Sequence, residues 1–384
     1  MKEIRAFKRE LMFMRVTMLS NSKGGLFTIT MSWARGLVRK GCDVNIFFLT
    51  QSKEARRLVS SEYMHFYYFT NSFFLPNLRT LVIFLVHDHP DVVHINFAWF
   101  GPLAIFKKYV LKIPFIYTSH GIPQPWLEPS LLYRIAYTVE HCLLRFVASQ
   151  SSVVVAVSNY VKEMLKKQYG IDSEVIYHGI EADKFKPKNK AESKRRLGYK
   201  ETDFMVLFVG KMHPVKDPLT VVRSIHEVLK KNANVYLAMI GAGELYQEVE
   251  NEIVKLNLSD HVKLLGQMDG LKLRLWYSAA DLFVFASVSE AFGMVLLEAM
   301  ASGLPIIASK VGACPEIIQN AGILFNQGDH HDLAEKIMES FYDEVLLQKL
   351  AKAGLRRAKE TFSWKDKIHH YFRLYRRAVY EKNE

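Results

Sequence analysis

Cysteine is scarce in this chain: Cys42, Cys142 and Cys314 are the only three in 384 residues. Three scattered thiols support neither a disulfide framework nor a four-ligand zinc site, so a small secreted scaffold is set aside and a reducing cytosol fits better. Long apolar runs are lacking too. The most apolar region, LVIFLVHDHPDVVHINFAWF (81–100), is broken by His87, Asp88, His89 and Asp91, short of the ~20 apolar residues of a membrane span. At the N-terminus, MKEIRAFKRELMFMRVTML carries basic residues, but Arg15 interrupts its apolar stretch before it reaches a signal-peptide core, so no leader is expected.

Acidic charge is the next deficit. Lys and Arg number 51 against 39 Asp and Glu, a net +12. Residues 1–185 hold 22 basic and 14 acidic side chains, and the remainder 29 and 25. A basic first half suggests an anionic partner: a phosphate-bearing ligand, an acidic lipid surface or nucleic acid. The cations do not gather on one recognition helix, which argues against nucleic acid. What remains is a diffuse solvated surface with some preference for membranes. Several chemistries are missing as well: no Ser-His-Asp or Cys-His arrangement, no HExxH, and no DxD-type acidic pair at a strand end.

What is present is an alternation. VTML (16–19), VNIFFL (44–49), VVHI (92–95), FIYTS (115–119) and VVVAVS (153–158) read as strands in the first half. VLFVG (206–210), VYLAMIG (235–241), VKLLG (262–266), LFVFAS (282–287) and PIIAS (305–309) do so in the second. They are continuously apolar, as strands covered on both faces by helices should be. Amphipathic stretches lie between them, such as LFTITMSWARGLVRKG, stopped at Gly41, and DPLTVVRSIHEVLKKN. The pattern predicts an α/β protein of two Rossmann-like, doubly wound parallel-sheet domains facing a central cleft. The first is expected at 1–185 and the second at 201–362. Residues 186–200, rich in Lys and turn formers, read as a linker, and 341–384 as two or three amphipathic helices with FSW (362–364) between them.

Two segments carry the strongest chemical signals. In SVSEAFGMVLLEAMASGLPIIAS (287–309) a strand ends, a loop holds Glu290, and a helix begins near Gly293 with Glu298 about five residues in. Two carboxylates so placed could accept hydroxyls of linked sugar rings. The first N–H groups of the helix, from Phe292, Gly293 and Met294, form a ready anion site. One capping and one exposed helical glutamate would account for the pair equally well. In FVGKMHPVKDP (208–218), Lys211 and Lys216 follow Gly210 on a strand-to-helix loop and could straddle a diphosphate, and Asp217 with Pro218 starts the next helix. Each lysine singly reads as a surface residue. IGAGEL (240–245) has Gly241 and Gly243 but no third glycine, which argues against a hydride-transfer enzyme. In the first half, Gly24 and Gly25 sit at a strand-to-helix turn, and His120 with Gly121 ends a strand. A tight turn and a structural histidine serve as well as ligand contacts there.

Taken together, the chain resembles glycosyltransferase family 4, the retaining nucleotide-sugar transferases of GT-B fold. The resemblance rests on the E-x7-E pattern of Glu290 and Glu298, on Lys211 and Lys216 after the VG turn, and on GGL (24–26), HG (120–121), VSN (157–159), GAGEL (241–245), LLGQM (264–268) and ADLFVFAS (280–287). It implies that Glu298 binds the ribose and Glu290 the donor sugar. The backbone of Phe292 to Met294 would hold sugar and phosphate, and Lys211 and Lys216 would neutralise the leaving diphosphate. His120 would touch the sugar, and Gly24 and Gly25 would approach phosphate and acceptor. Gly210, Gly241, Gly243, Gln267 and Met268 join the donor site on the same ground. The match of FSW (362–364) to the family's C-terminal stretch implies that 363–384 is a helix packing back on the first domain. Departures are Lys211, where the family often has Arg, and His178-Gly179-Ile180-Glu181 in place of N-G-[VI]-D.

The implied function is metal-independent transfer of a hexosyl group from a UDP- or GDP-sugar to a glycan or lipid-linked acceptor, with no cofactor. The alternatives are a GT-B nucleotide-sugar epimerase and a sugar-nucleotide-binding protein without turnover. Acceptor choice would lie in TNSFFLPNLRT (70–80) and GIPQPWLEPS (121–130), whose aromatics hint at stacking or membrane contact. The expected location is the cytoplasm, with peripheral attachment to an anionic inner membrane face suggested by the basic first half; nucleic acid is not an expected partner.

Overall fold

The computed structural model describes residues 14–380 apart from 23, 53–54, 71–76, 129, 232–233 and 269. The chain divides into two compact units, Met1–His178 with Trp364–Glu384, and Gly179–Ser363. The first contains β1 (Arg15–Ser20), α1 (Gly24–Val38), β2 (Asp43–Phe48), β3 (Met64–Tyr68), α2 (Leu78–Val82), β4 (Val92–Ile95), α3 (Gly101–Val110), β5 (Phe115–Ser119), α4 (Leu131–Gln150), β6 (Val153–Ala156), α5 (Asn159–Tyr169) and β7 (Glu174–Val175). Its strands pair in the order β3-β2-β1-β4-β5-β6-β7, every pair parallel. The runs that read as continuously apolar are the central strands, and β4 and β5 are buried at every position. One charged pair shares that interior: Lys107 and Asp88 lie 3.2 Å apart and fully buried, with Asp88 also accepting from Thr17 and Asn45. Those extra bonds are what a buried ion pair requires.

The second unit runs α6 (Lys190–Arg196), β8 (Phe204–Val209), α7 (Pro218–Leu229), β9 (Val235–Ile240), α8 (Tyr246–Lys255), β10 (Val262–Leu264), α9 (Gly270–Ala279), β11 (Leu282–Phe285), α10 (Met294–Ala301), β12 (Ile306–Ser309), α11 (Cys314–Ile318), β13 (Gly322–Phe325), α12 (His330–Tyr342) and α13 (Glu344–Glu360). Its sheet has the order β10-β9-β8-β11-β12-β13, again all parallel. In both sheets the winding reverses beside the first strand, between β1 and β4 and between β8 and β11. Loops at the carboxyl ends of such neighbours diverge and leave a crevice, the usual ligand position in open α/β sheets.

The last helix, α14 (Trp364–Tyr380), belongs to the first unit. It buries Ile368, Tyr371, Leu374, Tyr375 and Ala378 at helical spacing. Tyr371 meets Trp33 edge-on with centroids 4.5 Å apart, and the Tyr375 hydroxyl lies 2.6 Å from His94 Nδ1.

Two readings are corrected. The unit boundary falls at 178/179 rather than 185/186. The stretch 186–200 is no linker: it holds α6, capped by Asn189, whose side chain accepts from Glu192 N, and Lys194 is buried with its ammonium 2.7 Å from Asp281. A lysine-rich composition hid this because long lysine stems can lie along a protein surface while their charges find partners. Edge strands β3, β7 and β13 were also not anticipated. Each is short and partly exposed, and β3 (MHFYY) and β7 (EV) lack the apolar run of a central strand. Among the described residues no helix is long and apolar enough to cross a membrane.

Candidate active site

The second unit's switch point brings together residues 74 apart in sequence. The loop after β8 carries Lys216 and the loop after β11 carries Glu290, and Lys216 Nζ lies 2.5 Å from Glu290 Oε2. Val288 N donates to Val215 O at 2.8 Å, tying the loops backbone to backbone. The Phe285 ring lies 5.2 Å from the ammonium. A third loop fixes Glu290 from behind: Ala313 N donates to Glu290 O at 2.9 Å, and a Cβ on Gly312 would fall 2.1 Å from that oxygen. Asp217, at φ +44°, caps α7 by accepting from Thr220 N. Capping at that point places Lys216 at the mouth of the crevice.

Gly293 leads into α10 at φ +86° and offers no side chain to cap it. Phe292 is buried, Met294 half-buried, and the Phe292 N–H faces Glu290 Oε1 at 3.4 Å. The first turn of α10 therefore opens beside the Lys216–Glu290 pair with no side-chain cap at Gly293, where helix N–H groups favour an anion. Glu298 lies on the fifth residue of α10. It is half-buried rather than exposed, and the Tyr277 hydroxyl of α9 donates to its Oε2 at 2.9 Å. Burial pushes the Glu298 carboxyl up to about 7, against the lowering effect of that hydrogen bond. Burial, with the nearby Glu298 charge, also holds the Tyr277 hydroxyl well above its ordinary range.

Lys211 projects into solvent from the same loop as Lys216, 3.3 Å from Glu244 in the loop after β9. His213 accepts from Val215 N at Nδ1, so its Nε2 carries the proton that points at Glu244, 3.1 Å away. Gly241 and Gly243 have a geometric cause independent of any ligand. A Cβ at Gly241, φ +152°, would fall 1.8 Å from Gly210 O, and one at Gly243 would fall 2.3 Å from Met212 O. Only glycine lets the β9 loop lie on the β8 loop so closely. Gly241 N donates to Gly266 O at 2.9 Å, joining the next loop, where Gln267 is exposed and Met268 half-buried. Gly210 abuts the Phe208 ring.

The remaining candidates lie in the first unit. Gly24 opens α1 at φ +63°, and neither it nor Gly25 has an atom within 4 Å of where a Cβ would stand, so open space adjoins that helix start. His120 follows β5 with both ring nitrogens engaged: Nε2 lies 3.1 Å from Asn96 Oδ1, and Nδ1 lies 3.3 Å from His178 Nε2. Burial draws it down to about 3, so it is neutral, and a ligand hydroxyl using it would exchange with one of those partners. Of the two predicted acceptor loops, residues 71–76 and 129 lie outside the described residues.

Glu244, His213 and Tyr277 were not singled out from sequence. Glu244 lies in GAGEL, where the glycines carry the recognisable signal, and nothing local marks a buried tyrosine as a carboxylate's partner. Among the described residues the grouping of His, Cys, Asp and Glu side chains able to share a metal is Glu227, His330 and His331; it includes no residue of the Lys216–Glu290 site.

Comparison with known proteins places the chain in a family. The family model described as Glycosyl transferases group 1 matches residues 189–357, and that described as Glycosyltransferase Family 4 matches residues 23–184. An uncharacterized glycosyltransferase of Methanocaldococcus jannaschii is 28% identical over 85% of this chain and 88% of its own. The N-acetyl-alpha-D-glucosaminyl L-malate synthase of Bacillus anthracis is 27% identical over 75% of each. Among solved structures, Anabaena HepE in complex with UDP and glucose superposes with a TM-score of 0.78, at 21% identity over 94% of this chain and 99% of that one. With one of the two models covering each half, the chain belongs to glycosyltransferase family 4 and is a glycosyltransferase of GT-B fold.

Proposed function

We propose that the protein transfers a hexosyl group from a UDP- or GDP-sugar to a glycan or lipid-linked acceptor, with retention of configuration and without a metal ion. The observation that carries this reading is the Lys216–Glu290 pair at the β8/β11 switch point, with Lys211 on the same loop. A donor's diphosphate offers Lys216 more negative charge than one carboxylate does. Its arrival would draw the ammonium from Glu290 and leave that carboxylate to accept sugar hydroxyls. Lys211 and the first turn of α10 would add fixed positive potential as the bond to the leaving phosphate stretches. Glu298 would accept the ribose hydroxyls. The solved Anabaena relative with UDP and glucose supports a uridine donor. The residues named here bind and orient; on this reading the leaving phosphate itself takes the acceptor proton.

A thermal-shift screen over UDP- and GDP-sugars identifies the donor, because a ligand of the native state raises the melting temperature by mass action. With that donor, Lys216→Ala is expected to lower transfer about 100- to 1,000-fold, the cost of losing one preorganised charge, at an unchanged melting temperature. Transfer at the wild-type rate in this variant, or activity only with magnesium, overturns the reading. Free sugar and nucleotide formed without acceptor would identify an epimerase or hydrolase instead.

A further inference from the structure

Helix α4 is apolar on two sides. It buries Glu140, Leu144, Val147 and Ala148 against the first unit. Along its solvent side Leu131, Ile135, Val139, Cys142 and Phe146 recur at intervals of four and three, and all are exposed. Leu132 beside them is 80% exposed. A helix at a protein surface should turn polar groups outward, so an outward apolar stripe marks an interaction face. The face continues onto α3, which packs against α4 and exposes Phe106, Tyr109 and Val110, while Trp99 and Trp126 stand exposed in the turns leading into the two helices.

Charge selects the occupant. Between Ala98 and Gln150 the acidic residues are Glu128 and Glu140, one half-buried and the other buried. Lys112, Arg134 and Arg145 are exposed, and at 100° per residue the two arginines fall together along one flank of the α4 stripe. A second copy using this face would set Arg134 and Arg145 against cations with no exposed acid to answer them. Aliphatic residues in a stripe, cations along its flank, and Trp and Tyr around it match the interfacial layer of an anionic bilayer.

We propose that the α3–α4 face docks the protein peripherally on an anionic phospholipid membrane. Leu131, Ile135 and Phe146 enter the acyl boundary, and Lys112, Arg134 and Arg145 meet lipid phosphates. The docking stands independently of the donor and acceptor proposed above. One consequence does rest on that reading: Trp126 follows His120 by six residues, so the face adjoins the ligand end of β5, where a lipid-linked acceptor would arrive.

Co-sedimentation of the full chain with phosphatidylglycerol–phosphatidylcholine vesicles tests it. The wild type is expected to pellet, less so in high salt and on phosphatidylcholine alone. Ile135→Asp with Phe146→Asp should lower the partition coefficient about tenfold or more, and Arg134→Gln or Arg145→Gln about fivefold each. The melting temperature and donor-induced shift should stay at wild-type values. As a check free of any variant, amide exchange across 131–146 should slow when vesicles are added. No pelleting, pelleting indifferent to these substitutions, or no protection of 131–146 overturns the proposal. So does a wild-type dimer in light scattering that the Asp pair dissociates, which would assign the face to a second copy. Membrane docking that fails while donor transfer persists refutes this inference alone.

Discussion

At the scale of single residues, Glu298 is where protonation would meet the proposed nucleotide binding. Its carboxyl titrates near pH 7 in the folded protein, against an ordinary value of 4.5, because burial disfavours the charge. A folded pKa above the unfolded one contributes stability that is full below about pH 4.5 and is lost as pH rises through about 7. The donor-free protein should therefore lose less stability over that interval as Glu298→Gln than as wild type. Hydroxyl donors prefer the ionised carboxylate, so on the proposed ribose role of Glu298 nucleotide affinity should rise as pH passes upward through about 7 in the wild type and stay flat in Glu298→Gln. Calorimetric titration on either side of that pH checks both arms; a parallel rise in the variant excludes Glu298 as the titrating group. The carboxylate pair stood out beside a helix start, but its implied roles came from the resemblance that E-x7-E carries, since a capping and an exposed glutamate would show the same spacing. Tyr277, which sets the position of Glu298, did not stand out, since its part depends on α9 lying beside α10.

At the scale of elements, the glycines after β9 show how one motif can serve packing before chemistry. Gly241→Ala must move Gly210 O or distort a backbone at φ +152°, and should cost about 3 kcal/mol. Gly24→Ala, with φ +63° and free space around it, should cost about 1 kcal/mol. Urea denaturation of the two variants distinguishes them; similar small losses would mean that the β8 and β9 loops do not depend on this contact. The central strands were readable because burial on both faces forces a continuous apolar run. Edge strands β3 and β7 escaped because exposed edges relax that demand. The stretch 186–200 was misread for a related reason: Lys194 looks like solvent-facing charge until Asp281 is placed 2.7 Å from it.

At the scale of the whole molecule, the first unit is closed by α14 over a buried aromatic and histidine cluster. Trp33 touches the rings of His94, His120, His178, Trp364 and Tyr371. Burial lowers His94 and His120 to about 3, and His178 well below its ordinary 6.5. For a depressed pKa the stability is present above about pH 6.5 and lost as pH falls toward about 3. Acidification should thus loosen α14 before the β8–β13 sheet. Amide exchange is the measurement: residues 364–380 are expected to lose protection first, and loss in the second unit at the same pH would remove the cluster as the cause.

The alternation of apolar strands and amphipathic helices, the cap at Asp217, and the two carboxylates spaced for a helix start were all determined by local sequence, because each is a matter of residues within a few positions of one another. The Lys216–Glu290 contact, the hydrogen bond from Tyr277 to Glu298, the return of α14 to the first unit and the outward apolar side of α4 were decided only by tertiary structure. Each depends on which strand lies beside which, or on which face a neighbour covers. Winding order joins residues tens to hundreds of positions apart, and no short-range periodicity encodes that.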